Sequence, residues 1–381
     1  MDAQGRRQVV RNGDLPERQV LTGIGPVVVR QPRVEDRRPA GVREVFDRKI
    51  LPPYLRRTQS LDEAIPWLYL YGISIHDLAE PLAALLGPAA KDLSAATVSR
   101  LVENWKQEFA DWNQRSRAEK RYVYVGADGV YFNLRLEEDR AGLLVLLGAT
   151  AKGDKEIIAI ADGYRESAQS WTGLRLDLKN RGLIPPPKLA TGDGALGFWA
   201  ALEKIYPETS QQRCWVHKAR NVQGKLPNRL HGQAGDQLRQ IWMADRKLHA
   251  EKAFDLFLGT YQDKYPAATQ CLQKDREKLL TFYDFPAKHW THLRTTHPIE
   301  SIVSTVRLRH HQSPKQATRQ SPGRQGRRAT RNKAERKACL AMVYKLGQSA
   351  QRGFLRLNGS ELIQDVIAGI NYEDGMKTLV A

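Results

Sequence analysis

Apolar residues follow different rhythms in successive parts of the chain. Val98, Leu101, Trp105, Phe109 and Trp112 recur at spacings of three and four, which predicts one apolar stripe on a helix capped by Ser94. From Tyr122 the pattern changes to short continuous runs: Tyr122 to Val125, Val130 to Phe132, Leu143 to Leu147 and Ile157 to Ile160. Ala151-Lys152-Gly153-Asp154 separates the last two runs and predicts a hairpin turn. A helix from about Glu166 to Lys179 follows, then a short strand from Lys188 to Thr191. A second helix carries Phe198, Ala201, Leu202 and Ile205, and Gln212 to Val216 reads as a further strand. The order β-β-β-α-β-α-β, three antiparallel strands feeding a parallel unit, is an α/β class fold with a ribonuclease H-like arrangement.

These rhythms divide the chain. Residues 1–59 are rich in Arg, Pro and Val and read as a basic β-rich arm, with short strands at Gln8 to Gly13 and Gly25 to Arg30. Residues 60–116 are helical. Two helices joined by a turn fit a helix-turn-helix DNA-binding region, and equally fit ordinary helix packing. Residues 117–217 form the first part of the core and 218–293 an amphipathic helical insertion. Residues 294–381 supply C-terminal helices, one restarted by Pro298 and one from Leu340 to Leu357. Between His310 and Cys339 no Val, Ile, Leu, Met, Phe, Tyr or Trp occurs, so 310–337 is expected to be a disordered basic loop.

Charge adds a partner. With 60 Lys and Arg against 42 Asp and Glu, the 381-residue chain carries +18, which favours a polyanion such as nucleic acid. No run approaches the roughly 18–20 apolar residues of a membrane span, and the first residues lack the apolar stretch of a signal peptide. Three cysteines do not make a disulfide framework. The expectation is a soluble cytoplasmic protein, associated with the nucleoid.

Two acids stand where strands end. Asp128 is placed just after the first strand, and Asp193 follows the fourth, between two glycines that let backbone approach a ligand. In the inferred sheet these strands are neighbours with both acids at one end. Converging carboxylates repel unless a cation lies between them, and oxygen-only ligation suits Mg²⁺ or Mn²⁺. Glu300, at the helix start after Thr295-Thr296-His297-Pro298-Ile299, is the third candidate for a two-metal site. Asp-Gly after a strand is also a common turn, and Glu300 also fits a capping position. Cys214 and His217 form a lone C-x-x-H without the second pair a structural zinc needs; a core Cys with a polar His on a strand edge is the favoured reading.

At these residues the chain resembles the Mutator-type transposases of bacterial insertion sequences, from about Val9 to Gly375. The resemblance is carried by Leu51-Pro52-Pro53-Tyr54-Leu55-Arg56-Arg57, Ala127-Asp128-Gly129-Val130-Tyr131-Phe132 and Gly192-Asp193-Gly194-Ala195-Leu196-Gly197-Phe198-Trp199. Its strongest parts are Gln212-Arg213-Cys214-Trp215-Val216-His217-Lys218 and Arg294-Thr295-Thr296-His297-Pro298-Ile299-Glu300-Ser301. The sequence departs from the family at His297, where Asn is usual, at Gly126, where an aromatic is common, and after Arg309. Members also carry helical sequence ahead of the equivalent of Gly5, so a truncated start is expected.

The resemblance implies a DDE transposase whose catalytic acids are Asp128, Asp193 and Glu300, holding two Mg²⁺ or Mn²⁺ ions. It gives Cys214 and His217 a structural or site-supporting role. Its partners are DNA, as terminal inverted repeats and target, and further copies of the chain in a homo-oligomer on DNA. The implied reaction is strand cleavage freeing a 3′-hydroxyl, then transfer of that end to another phosphodiester. The alternative is a decayed or domesticated copy that binds DNA without cleaving it.

Overall fold

The computed structural model describes residues 5, 7–22, 25–39, 41–43, 95–132, 141–164, 168–183, 185–194, 196–296, 299 and 325–378. The chain divides into two compact units, one of Met1–Glu103 with Gln312–Lys315, the other of Asn104–His311 with Gln316–Ala381.

In the first unit, four short strands make two antiparallel pairs. Strand β1 (Val9–Asp14) pairs with β4 (Pro32–Asp36), and β2 (Arg18–Thr22) with β3 (Gly25–Val29). Val20 is buried while Val9, Val27 and Val28 are exposed, so this is a small β-element with little core of its own. Residues 60–94, which hold most of the expected helix-turn-helix, lie outside the described residues. Helix α1 (Ala95–Gln114) matches the predicted stripe in extent.

The second unit is built on a five-stranded mixed sheet. Strands β5 (Tyr122–Phe132), β6 (Ala141–Thr150) and β7 (Lys155–Tyr164) are antiparallel, and β8 (Leu189–Gly192) and β9 (Ser210–Arg213) continue it in parallel, giving the order β7-β6-β5-β8-β9. The β6–β7 hairpin turns where the sequence predicts, with Gly153 at φ +88°. Helices α2 (Ala168–Asn180) and α3 (Leu196–Ile205) join β7 to β8 and β8 to β9.

Alternation along the strands supplies two cores. Val125, Ala127, Leu144, Leu146 and Ile158 pack with Trp171, Leu178 and Phe198 of α2 and α3. Tyr124, Ala149 and Leu189 face the helical layer formed by α4 (Trp215–Gln223), α5 (His231–Met243), α6 (Lys247–Tyr261), α7 (Pro266–Gln273), α8 (Arg276–Leu280) and α9 (Trp290–Leu293). Gln212, fully buried, stitches β9 to this layer: its amide donates to the Leu279 carbonyl at 3.1 Å and accepts from the Phe282 N–H at 2.9 Å.

Three expectations need correction. Asp128 lies within β5 rather than just after it, because the ladder with β6 runs on to Phe132. Strand β9 ends at Arg213 and Cys214 is the N-cap of the next helix, so His217 is on α4 and not on a strand edge. Helix α10 runs from Gln325 to Arg352, so residues 325–337 of the expected disordered loop have helical backbone. Pro314, Pro322 and Gly323 all precede this start, and Arg, Ala, Lys and Glu are good helix formers. The packed half of α10 nucleates the rest, since propagation costs far less than initiation. There Tyr344 stacks near Trp112 and Phe109 of α1, at ring distances of 4.9 and 5.6 Å. Residues 310–324 lie outside the described residues. Helix α11 (Ile363–Ala368) and a two-strand hairpin, β10 (Tyr372–Glu373) and β11 (Met376–Lys377), close the chain.

Candidate active site at the ends of the central strands

Parallel register brings the two aspartates together. Ala127 pairs with Gly192 as the last matched pair of β5 and β8, so Asp128 and Asp193 are the next residues on adjacent strands. Asp128 is 5% exposed and remains in the ladder opposite Val145 of β6. Tyr124, Gly126 and Asp128 alternate onto the sheet face covered by the helical layer.

Asp193 is fixed differently, through its main chain. Its carbonyl accepts from the Trp199 indole at 2.8 Å and from Arg213 Nη1. Arg213 Nη2 reaches Asp275 at 3.3 Å, and Lys218 pairs with the same carboxylate. Burial pushes the Asp275 carboxyl up, but the Lys218 hydrogen bond and the two cations outweigh it and hold it below its ordinary value. The flanking glycines serve this packing. A Cβ at Gly194 would lie 2.8 Å from Arg213 Nη2, and one at Gly192 would lie 3.1 Å from the Trp199 ring.

Cys214 joins the segments. Its N–H donates to the Gly192 carbonyl at 2.8 Å, beside Asp193. Its sulfur receives the Thr296 N–H and hydroxyl, both at 3.5 Å, four residues before Glu300. The next N–H, of Trp215, donates to the Arg294 carbonyl at 2.9 Å. One turn along α4, His217 Nε2 lies 4.0 Å from Asp128 Oδ1. Burial lowers the affinity of His217 for its proton, but the hydrogen bond and charge of Cys214 and the charges of Asp128 and Asp193 raise its pKa to about 9. Burial likewise pushes the Cys214 thiol up, and His217 more than reverses it. The electrostatics at this point thus favour a protonated His217 beside Asp128.

Glu300 lies outside the described residues. Ile299 is buried, and a Cβ at Gly126 would meet its Cδ1 at 3.5 Å. The segment leading to Glu300 thus crosses β5 two residues from Asp128. The donor chemistry at the strand ends is carboxylate oxygen, which suits a hard cation. Among the described residues, no group of three or more His, Cys, Asp and Glu is arranged to hold a metal ion. Nor is any described helix long and apolar enough to cross a membrane.

A family model described as "Transposase, Mutator family" matches residues 1–321. The chain belongs to that family. It is 44% identical over 299 residues to the transposase for insertion sequence element IST2 of Acidithiobacillus ferrooxidans, covering 78% of this chain and 95% of the relative. It is 40% identical over 315 residues to the transposase for insertion sequence element IS6120 of Mycolicibacterium smegmatis, covering 83% and 92%. The transposase for element IS256 in transposon Tn4001 of Staphylococcus aureus is 28% identical over 308 residues, covering 80% of this chain and 75% of the relative.

Four residues of this Mutator-family chain shape the site without a signal of their own in the sequence: Trp199, Arg213, Thr296 and Asp275. The first three lie inside the motif runs, beside the candidate residues. Asp275, 82 residues after Asp193, has no local signal. Only the packing of α7 and α8 against α4 and β9 brings it near.

Proposed function

We propose that this chain is an insertion-sequence transposase that cuts DNA at the element's ends and joins the freed ends to a target, using a ribonuclease H-like DDE site. The observation that carries this reading is the parallel register that puts Asp128, within β5, beside Asp193, just past the end of β8, with His217 next to Asp128. The sheet order, with three antiparallel strands extended by two parallel ones, is the arrangement the reading requires.

In this reading Asp128 and Asp193 hold Mg²⁺ or Mn²⁺, as two ions, and Glu300 completes the set. Bound divalent ions would lower the barrier to phosphoryl transfer by activating the attacking oxygen and neutralising the leaving one. The protein's own part is positional. The β5 ladder fixes Asp128, Trp199 and Arg213 clamp the Asp193 main chain, and Cys214 tethers the Glu300 segment. A protonated His217 would offset part of the paired negative charge. The basic arm of residues 1–59 and the region 60–116 would hold the terminal repeats, through phosphates for affinity and base edges for register. Further copies of the chain assemble with it on DNA, in the nucleoid.

The test is a cleavage and joining assay on DNA carrying the element's terminal repeats, with Mg²⁺, Mn²⁺ or EDTA. Cleavage and joining that need the metal are expected. Binding without cleavage at any metal concentration would point instead to a domesticated copy. Cleavage without joining would point to a nuclease.

A further inference from the structure

A second group of reactive side chains lies on the sheet face that carries Asp128, nearer the other end of the strands. Here a cavity of about 510 Å³ opens between the strands and the segments that cover them. Its walls include Tyr124 and Leu147 from the sheet, Thr296 and Ile299 from the Glu300 segment, and Phe354 and Leu357 after α10. The volume is that of a small-molecule site, and the lining is mainly apolar. Lys155 also lines it.

Hydrogen-bond geometry favours the free-amine form of this lysine. Lys155 Nζ lies 2.7 Å from His292 Nδ1, and the Asn358 backbone N–H donates to His292 Nε2 at 3.1 Å. A neutral imidazole carries one proton. Since Nε2 accepts, that proton is on Nδ1, and its neighbour must be an acceptor. The Lys155 nitrogen can accept only as a free amine. An ammonium there would force a proton onto Nε2, where it would meet the Asn358 N–H.

The charged groups nearby point elsewhere. Asp154 faces Arg356 at 3.7 Å, and Glu156 takes Lys120 at 2.9 Å and the Tyr122 hydroxyl at 2.8 Å. His289 is occupied by the Tyr124 hydroxyl and the Gly359 carbonyl. Among the described residues no carboxylate pairs with Lys155 to hold it charged. Burial pulls the same way, bringing Lys155 down to about 8, so a far larger share of it than of an exposed lysine is free amine near neutral pH.

We propose that this cavity is a ligand site for aldehydes with an apolar body, captured reversibly by Lys155 as an imine. The Nζ lone pair attacks the carbonyl carbon and a proton passes from nitrogen to oxygen, giving a carbinolamine. Water then leaves with the former carbonyl oxygen and both amine protons, and the C=N bond forms; no oxidant or reductant is consumed. The His292 Nδ1–H, released as the lone pair turns to the carbonyl, is placed to hydrogen-bond the departing oxygen. An occupant would press on Thr296 and Ile299, and so on the segment leading to Glu300. The site does not depend on the proposed DNA chemistry.

The full-length protein is treated with 2-naphthaldehyde or with glyoxylate, imines are trapped with cyanoborohydride, and modified lysines are mapped by peptide mass spectrometry from pH 6 to 10. With naphthaldehyde at pH 7, Lys155 is expected to be labelled at least tenfold above the median lysine, its labelling levelling off near pH 8–9 while exposed lysines keep rising. Excess 2-naphthalenemethanol, which fills the same space without a carbonyl, should suppress labelling at Lys155 alone. Glyoxylate, small and charged, should show no preference for it. Labelling of Lys155 no stronger than that of exposed lysines, no competition by the alcohol, or an equal preference with glyoxylate would each overturn the site.

Discussion

The sulfur of Cys214 lies 3.5 Å from both the amide nitrogen and the hydroxyl oxygen of Thr296, while the Cys214 N–H holds the Gly192 carbonyl. One small residue thereby links the strand that delivers Asp193 to the segment that leads to Glu300. Cys214→Ala removes the first link and keeps the second. DNA cleavage is expected to fall at least tenfold, since a shift on the order of 1 Å can cost about a hundredfold in rate. Stability should fall by only about 1 kcal/mol. Cys214→Ser should recover part of the rate, its shorter C–O bond reaching less far toward Thr296. Single-turnover cleavage and thermal melts separate the two effects.

Asp128→Asn and Asp193→Asn should each abolish cleavage while leaving affinity for end DNA within a few-fold. Affinity for DNA is expected to come mainly from phosphate contacts made by basic residues, and for such contacts the log of the affinity falls by about 0.9 per neutralised phosphate per log unit of salt. EDTA should reproduce both results with the unaltered protein. Retained cleavage in either variant would remove that residue from the site.

Asp275 balances two cations, Lys218 and Arg213, within the protein. Asp275→Ala should cost about 3–5 kcal/mol, because it leaves both charges buried without a partner. The pH dependence follows from the same pairing. Folding lowers the Asp275 pKa below its ordinary 3.8, so its contribution is complete above that pH and is lost as pH falls through the folded value. Denaturant melts from pH 5 to 2 should therefore show a steeper decline for the parent chain than for Asp275→Asn.

His292 gives a second acid-sensitive element at higher pH. Its folded pKa of about 4 lies below the ordinary 6.5, so between these values the unfolded chain binds a proton that the folded one does not. Stability is then full above about pH 6.5 and declines toward pH 4. Solvent screens the half-buried ring, so the expected loss is about 1–2 kcal/mol rather than the full value of the shift. His292→Phe should flatten the stability profile between pH 6.5 and 4, measured by urea unfolding.

What could be read from the sequence was what is encoded locally. The β6–β7 hairpin announces itself through Gly153 between two apolar runs, and the neighbouring acids follow from counting strands. Cys214 and His217 were harder. Gln212 to Val216 is a plausible strand by composition, and the switch to helix at Cys214 is set by the helical layer that Trp215 enters. Its indole donates to the Leu279 carbonyl at 2.9 Å. The start of α10 was missed for a related reason. A stretch without apolar residues cannot pack, yet it can still extend a helix that is anchored at its other end. The glycines around Asp193 promised room for a ligand, and the room is taken by Arg213 and Trp199. No local pattern reports a side chain arriving from elsewhere.

The two aspartates are held by different means, and they are exposed to inheritance differently. Asp128 is anchored by backbone hydrogen bonds that depend little on side-chain identity, so little short of its own replacement or the loss of the sheet dislodges it. Asp193 relies on Trp199 and Arg213, and through Arg213 on Asp275, so several single codon changes can loosen it while the β5–β6–β7 framework stands. If Asp193 serves the proposed chemistry, a lineage of this element can fall silent there long before its product stops folding. Decay would then begin at the side-chain clamp and leave the ladder untouched.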